Sequence, residues 1–102
     1  MMDRQDAIAL IQESLDSLNR SGTIKKPISV DDDTILMGSG ANSGLDSLGF
    51  VTFVMDLEDR LRTATGADYA IVLTDIKGFD INNPTLTAGI LAEHVVGLAA
   101  RG

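Results

Sequence analysis

The chain has 102 residues, a formal net charge of −7, 44% hydrophobic and 4% aromatic residues, no Trp and no Cys. That length predicts one domain spanning residues 1–102 with a single aliphatic core. The lack of cysteine excludes a disulfide scaffold and a thiolate zinc site. The negative balance, with no basic cluster beyond Lys25-Lys26, argues against nucleic acid and anionic membranes as partners and favours basic protein surfaces.

Asp3 is placed to cap a first helix, in which Ile8, Ile11, Leu15 and Leu18 share one face. Acidic Asp6 suits the positive end of that helix, and Gly22 is its stop. Residues 23–45 follow as a long loop. Pro27, the run Asp31-Asp32-Asp33, and Gly38, Gly40 and Gly44 break regular structure, while Ile24, Ile28, Val30, Ile35, Leu36 and Leu45 are expected to pin it down. The second helix is predicted from Ser47 to Ala64, with Phe50, Val54, Leu57 and Leu61 as a buried stripe, Val51 and Phe53 flanking it, and Gly66 closing it. Ala70 to Leu73 is apolar but has no evident partner strand, so it is expected to lie extended on the core. Thr74 is expected to cap a short helix through Asp75 to Phe79, and Asn82-Asn83-Pro84 to turn the chain. A last helix begins near Thr85 or Thr87 with Ile90, Leu91, Val95 and Leu98 facing inward. The expected fold is all-α: a small four-helix bundle of three main helices and a short third one, with a long ordered loop between the first and second helices. No stretch approaches membrane-spanning length and the N-terminus lacks a basic-then-apolar leader pattern, so a soluble, cytoplasmic protein with no membrane insertion is expected.

Ser47 stands where the glycine-rich run meets the second helix, in Gly44-Leu45-Asp46-Ser47-Leu48. A nucleophilic serine needs a base in reach, and the chain's one histidine, His94, is far along in the last helix. The strand–Gly-x-Ser-x-Gly–helix elbow is absent. The loop Gly38 to Gly44 lacks the lysine of a phosphate-cradling loop. Asp31-Asp32-Asp33 lacks the glycine and glutamate of a calcium loop, so no metal site is expected. A serine at a helix N-terminus suits a different role. The dipole there favours a phosphate, and the hydroxyl needs no internal base if a separate enzyme modifies it.

Gly44-Leu45-Asp46-Ser47-Leu48, followed by Val51, Val54, Leu57-Glu58 and Leu61, resembles the signature of acyl carrier proteins and their recognition helix. Ile8 to Leu18, the stretch Asp33-Thr34-x-Leu36-x-Gly38, and Thr87 to Leu98 resemble the family's first helix, the loop leading to the signature, and the last helix, so the resemblance runs over nearly the whole chain. It implies a carrier, not an enzyme. Ser47 would take a 4′-phosphopantetheine arm from coenzyme A through a phosphopantetheinyl transferase. Acyl intermediates would ride as thioesters on the arm's thiol, which fits a chain without cysteine. Asp46 is the family's usual neighbour to the modified serine, implicated in transferase recognition; read from the residues alone it is a helix N-cap. Leu48 and Met55 fall opposite the predicted core stripe with Thr52, Asp59 and Arg62; because carriers of this family dock partners with this helix, the resemblance implies Asp46, Leu48, Met55 and Asp59 as recognition residues. Partner enzymes implied by the resemblance are an acyl-loading ligase, a ketosynthase or an acyltransferase with basic docking surfaces, and the carrier itself is expected to be a monomer.

Carriers of primary fatty acid biosynthesis generally bear acidic residues two and five positions after the serine. Here those positions are Gly49 and Thr52, which points to a specialised carrier of lipid, polyketide or related metabolism. A peptidyl or aminoacyl carrier, and an unmodified helical interaction module of the same fold, remain as alternatives.

Overall fold

Among the described residues the chain forms α1 (Arg4–Arg20), β1 (Ile35–Met37), α2 (Ser47–Thr65), a 3-10 turn at Leu73–Asp75, β2 (Leu86–Thr87) and α3 (Ala88–Arg101). The structure, a computed structural model, describes residues 2–24, 27–37, 47–76 and 85–101. It is mostly helical, with three helices and one two-stranded sheet.

Both ends of α1 follow from its sequence. The Asp3 carboxylate accepts the Asp6 N–H at 2.9 Å, and the Asp6 carboxylate accepts the Asp3 N–H at 3.2 Å. This reciprocal cap satisfies two N–H groups that the helix itself cannot use. At the other end the Thr23 N–H donates to the Leu18 carbonyl at 2.9 Å and the Gly22 N–H to the Asn19 carbonyl at 3.2 Å. That closure needs a left-handed residue, and Gly22 supplies it at φ 83°. Ala7, Ile11, Ser14, Leu15 and Leu18 are buried, while Ile8, expected on this face, is only half-buried.

Of the loop expected over residues 23–45, residues 25–26 and 38–45 lie outside the described residues. The part from Pro27 to Val30 is tied to α1 by one side chain. Gln12 donates from Nε2 to the Ile28 carbonyl at 2.8 Å and accepts the Val30 N–H on Oε1 at 2.8 Å. Leu36 is buried in the core. It lies on β1, which pairs antiparallel with β2, Ile35 opposite Thr87 and Met37 opposite Leu86, with an irregularity between. This sheet corrects the all-α expectation. Its strands bring the loop against the start of α3, where the Ala88 N–H donates to the Thr34 carbonyl at 2.8 Å and the Gly89 N–H to the Asp32 carbonyl at 3.0 Å. Arg4 bonds Asp32 at 3.2 Å and Glu93 at 2.6 Å across the same junction. The two carboxylates hold its guanidinium pKa above the ordinary value, Glu93 first and Asp32 second.

The short third helix is not present among the described residues. Leu73–Asp75 is a single 3-10 turn with Thr74 inside it rather than capping it. Residues 77–84, which include the expected end of that helix and the Asn82-Asn83-Pro84 turn, lie outside the described residues. Before the turn, Ile71 is buried and its N–H donates to Glu58 Oε2 at 2.7 Å. Among the described residues this segment belongs to neither strand, and Ile71 is its contribution to the core. α3 starts at Ala88, with Thr87 Oγ1 accepting the Ile90 N–H at 3.2 Å. Its buried apolar side chains are Ala88, Leu91, Ala92 and Val95; Ile90 and Leu98 pack at the margin.

Candidate functional site

The site is defined by how α2 is turned about its own axis. Phe50, Phe53, Leu57 and Leu61 are its buried side chains. The expected stripe had Val54 in place of Phe53. Three of its four members hold, but Phe53 is fully buried and Val54 half-buried. The two phenylalanine rings are 6.1 Å apart and tilted by 47°. A pair of rings fills this part of the core better than a ring and a valine, so the helix turns Phe53 inward. At about 100° per residue, the face opposite then carries residues 48, 51, 52, 55, 59 and 62.

The structure brings Leu48, Met55 and Asp59 together on that outer face, as expected. Leu48 is 76% exposed and Met55 64%. Val51, expected to flank the core, joins them at 55% exposure and is the residue that sequence reasoning assigned to the wrong side. The signal was available in the spacing: residues 48, 51 and 55 fall at three- and four-residue intervals, the same rhythm as the core stripe. Thr52 lies beside them, and its Oγ1 donates to the Leu48 carbonyl at 3.0 Å instead of projecting free. The result is an apolar ridge running from the first turn of α2 towards its middle.

Ser47 is the first residue of α2, at the positive end of a 19-residue helix. The first turn contains no acidic residue. A phosphate attached at this position would meet a favourable dipole and no like charge from that turn. Asp46 lies outside the described residues.

Charge begins only beyond the ridge, and the acidic groups there have partners of their own. Asp59 is ion-paired with Arg62. Arg62 also approaches Asp68 at 3.8 Å. Asp56 pairs with Arg60 at 2.7 Å, and Arg60 reaches Glu13 on α1 at 3.8 Å. Glu58 is engaged by the Ile71 N–H. Met55, Glu58, Asp59, Arg62, Asp68 and Tyr69 surround an open notch of about 280 Å³ where the ridge meets the segment after α2.

His94 lies on α3 and is half-buried. Among the described residues no group of three or more His, Cys, Asp and Glu side chains could hold a metal ion. No described helix is long and apolar enough to cross a membrane. Comparison with family models, with curated proteins and with solved structures found no match.

Proposed function

We propose that this chain is a carrier protein of the acyl carrier type, a small helical bundle that holds cargo on a 4′-phosphopantetheine arm at Ser47 and presents it to separate enzymes. The observation that carries the proposal is positional. The serine of Leu45-Asp46-Ser47-Leu48 opens a long helix. That helix keeps one face in the core and leaves Leu48, Val51 and Met55 exposed beside the serine. An attachment point needs a hydroxyl at an element's end, a nearby environment that tolerates a phosphodiester, and a surface on which the modifying and loading enzymes can settle. The start of α2 supplies the helix dipole for the second requirement and the ridge for the third.

The chain's own part in the chemistry is to supply the nucleophile. The Ser47 Oγ–phosphorus bond forms as the bridging P–O bond of the coenzyme A pyrophosphate breaks. The leaving group is 3′,5′-ADP, and the transferase takes the hydroxyl proton. The arm, once attached, supplies a terminal thiol on which acyl groups form thioesters. On this reading the 3-10 turn at Leu73–Asp75 belongs to the short third helix of a four-helix bundle. The uncharged stretch after the serine belongs to a specialised carrier of lipid or polyketide metabolism.

The test is intact-mass measurement after incubation with coenzyme A and a broad-range phosphopantetheinyl transferase. One phosphopantetheine on the wild type and none on Ser47→Ala is the expected result. No addition to either protein overturns the carrier reading and leaves a helical interaction module. Addition that persists in Ser47→Ala moves the attachment elsewhere.

A further inference from the structure

Far from Ser47, the side where α1 meets α2 carries a feature that the carrier reading does not use. Clefts of about 590 Å³ and about 370 Å³ share Leu10 and Ala64 and so form one groove. It lies between the first half of α1 and the second half of α2, with Ala99 of α3 at one end. Asp6, Ala9, Leu10 and Glu13 fall within about 100° of one another around α1, on a different side from the buried Ala7, Ile11 and Leu15. The floor is shallow because alanine builds much of it. Ala9 and Ala64 are exposed, Ala99 is half-buried, and Leu10 leans on the core. Such a furrow between two helices accepts the side-chain ridge of a third. Its rim is acidic. Asp6 has no basic partner among the described residues, and its carboxylate accepts the Asp3 N–H. Arg60 serves two carboxylates, Asp56 at 2.7 Å and Glu13 at 3.8 Å, so one negative charge there is left over. Asp6 and Glu13 stand about two turns apart on α1, about 10 Å along its axis. A second copy of this chain, at net −7, would bring like charge to that rim.

We propose that this groove receives a basic amphipathic helix of another protein. One row of its apolar side chains lies over Ala9, Leu10 and Ala64, and lysines or arginines about two turns apart stand against Asp6 and Glu13. The apolar row supplies most of the affinity, and the two charge contacts fix the position of the helix along the groove. The inference is independent of the carrier reading. Ala64 lies seventeen residues beyond Ser47, about 25 Å along α2. A protein held in the groove therefore leaves both the serine and the ridge of Leu48, Val51 and Met55 uncovered.

Titration of the full chain with a synthetic helical peptide tests this. The peptide is about five turns long and carries one stripe of leucine and alanine, flanked by lysines at the Asp6–Glu13 interval. A control peptide has glutamates in place of those lysines. Calorimetry reads the affinity, and amide chemical shifts of the isotope-labelled protein read the location. The lysine peptide is expected to bind and to shift the amides of Ala9, Leu10, Glu13 and Ala64, leaving those of Leu48, Val51 and Met55 in place. The glutamate peptide is expected to bind at least about ten-fold more weakly. The double variant Asp6→Asn with Glu13→Gln keeps an acceptor for the Asp3 N–H and is expected to weaken the lysine peptide by about three- to ten-fold, because exposed charge contacts are individually modest. Ala9→Arg fills the groove and brings a cation between Asp6 and Glu13, so it is expected to cost about ten-fold or more. Ala64→Gln is a milder version should Ala9→Arg misfold by circular dichroism. Ser47→Ala is expected to bind as the wild type does. Raising salt from about 0.1 M to about 1 M shortens the Debye length from about 10 Å to about 3 Å and is expected to weaken binding. Four outcomes overturn the inference: no binding of the lysine peptide, equal binding of the glutamate peptide, shifts confined to Leu48, Val51 and Met55, or a groove covered instead by a second copy of this chain, seen as a dimer that Ala9→Arg dissolves. None of these changes the mass addition at Ser47 on which the carrier reading stands.

Discussion

Everything assigned to the outer face of α2 depends on which way that helix is turned, and Phe53 and Val51 measure it directly. They are two residues apart, so about 200° separates them around the axis. Phe53 is fully buried and Val51 is 55% exposed. Burying a phenylalanine removes roughly 150–250 Å² from water, and at about 25 cal/mol per Å² that amounts to roughly 4–6 kcal/mol as an upper figure. Truncation to alanine keeps part of this but leaves a cavity, so about 3–5 kcal/mol is expected for Phe53→Ala. The contact with Phe50 adds about 0.5–1.5 kcal/mol to what is lost. A small domain holds only about 5–15 kcal/mol in all, so Phe53→Leu, at about 1–2 kcal/mol, is the safer probe. Val51→Ala is expected to cost under about 0.5 kcal/mol. Guanidinium chloride unfolding followed by far-ultraviolet circular dichroism reads both, with an unchanged slope required for the comparison. In thermal melts Phe53→Leu should fall by at least about 4–8 °C while Val51→Ala stays near wild type. Equal losses from the two, or a silent Phe53→Leu, would mean that α2 presents a different face to the core. The ridge of Leu48, Val51 and Met55 would then not exist.

Three further substitutions probe the packing of α3 and α1. A Cβ at Gly89 would stand 2.8 Å from the Asp32 carbonyl oxygen and 2.8 Å from the Arg4 guanidinium, so Gly89→Ala should lose about 1–3 kcal/mol; Gly97→Ala in the same helix meets nothing within 4 Å and should gain up to about 1 kcal/mol, and denaturant melts compare the pair. Ser14 is fully buried on α1 and its hydroxyl has no hydrogen-bond partner among the described residues, so Ser14→Ala should leave stability unchanged or raise it by up to about 1 kcal/mol, and a clear loss by the same melts would reveal a partner for that hydroxyl.

The three helices are legible in the sequence because each carries its own boundary chemistry. Asp3 with Asp6 opens α1 and Gly22 ends it, Gly66 at φ 78° ends α2, and Thr87 caps α3. Such signals are local and act within a few residues. The sheet was not legible for the opposite reason. β1 has three residues and β2 two, too few for any alternation to register, and the pairing joins segments about fifty residues apart. What holds the loop to the helices is equally invisible in a linear reading. Gln12 spends its amide on Ile28 and Val30, and Arg4 divides its guanidinium between Asp32 and Glu93. A polar residue on a helix announces nothing about such distant partners. The error over Val54 and Phe53 is of a third kind. Both fit an apolar face at helical spacing, and only the volume available in the core decides between a ring and a branched aliphatic.

The same limit governs what charge can say about partners. The net charge of −7 suggests that α2 offers acid to a basic enzyme. Yet α2 carries three carboxylates against two guanidinium groups, so little of the total resides there. The spacing makes neutralisation local: Asp56 to Arg60 is four residues and Asp59 to Arg62 is three, the intervals at which helix neighbours meet. A paired carboxylate projects a dipole rather than a charge, and its field falls off faster with distance. The field seen by an approaching protein at the ridge is therefore weaker than the composition suggests. What distinguishes the ridge from the rest of an acidic surface is that it is the stretch beside Ser47 where a partner need not displace any ion pair.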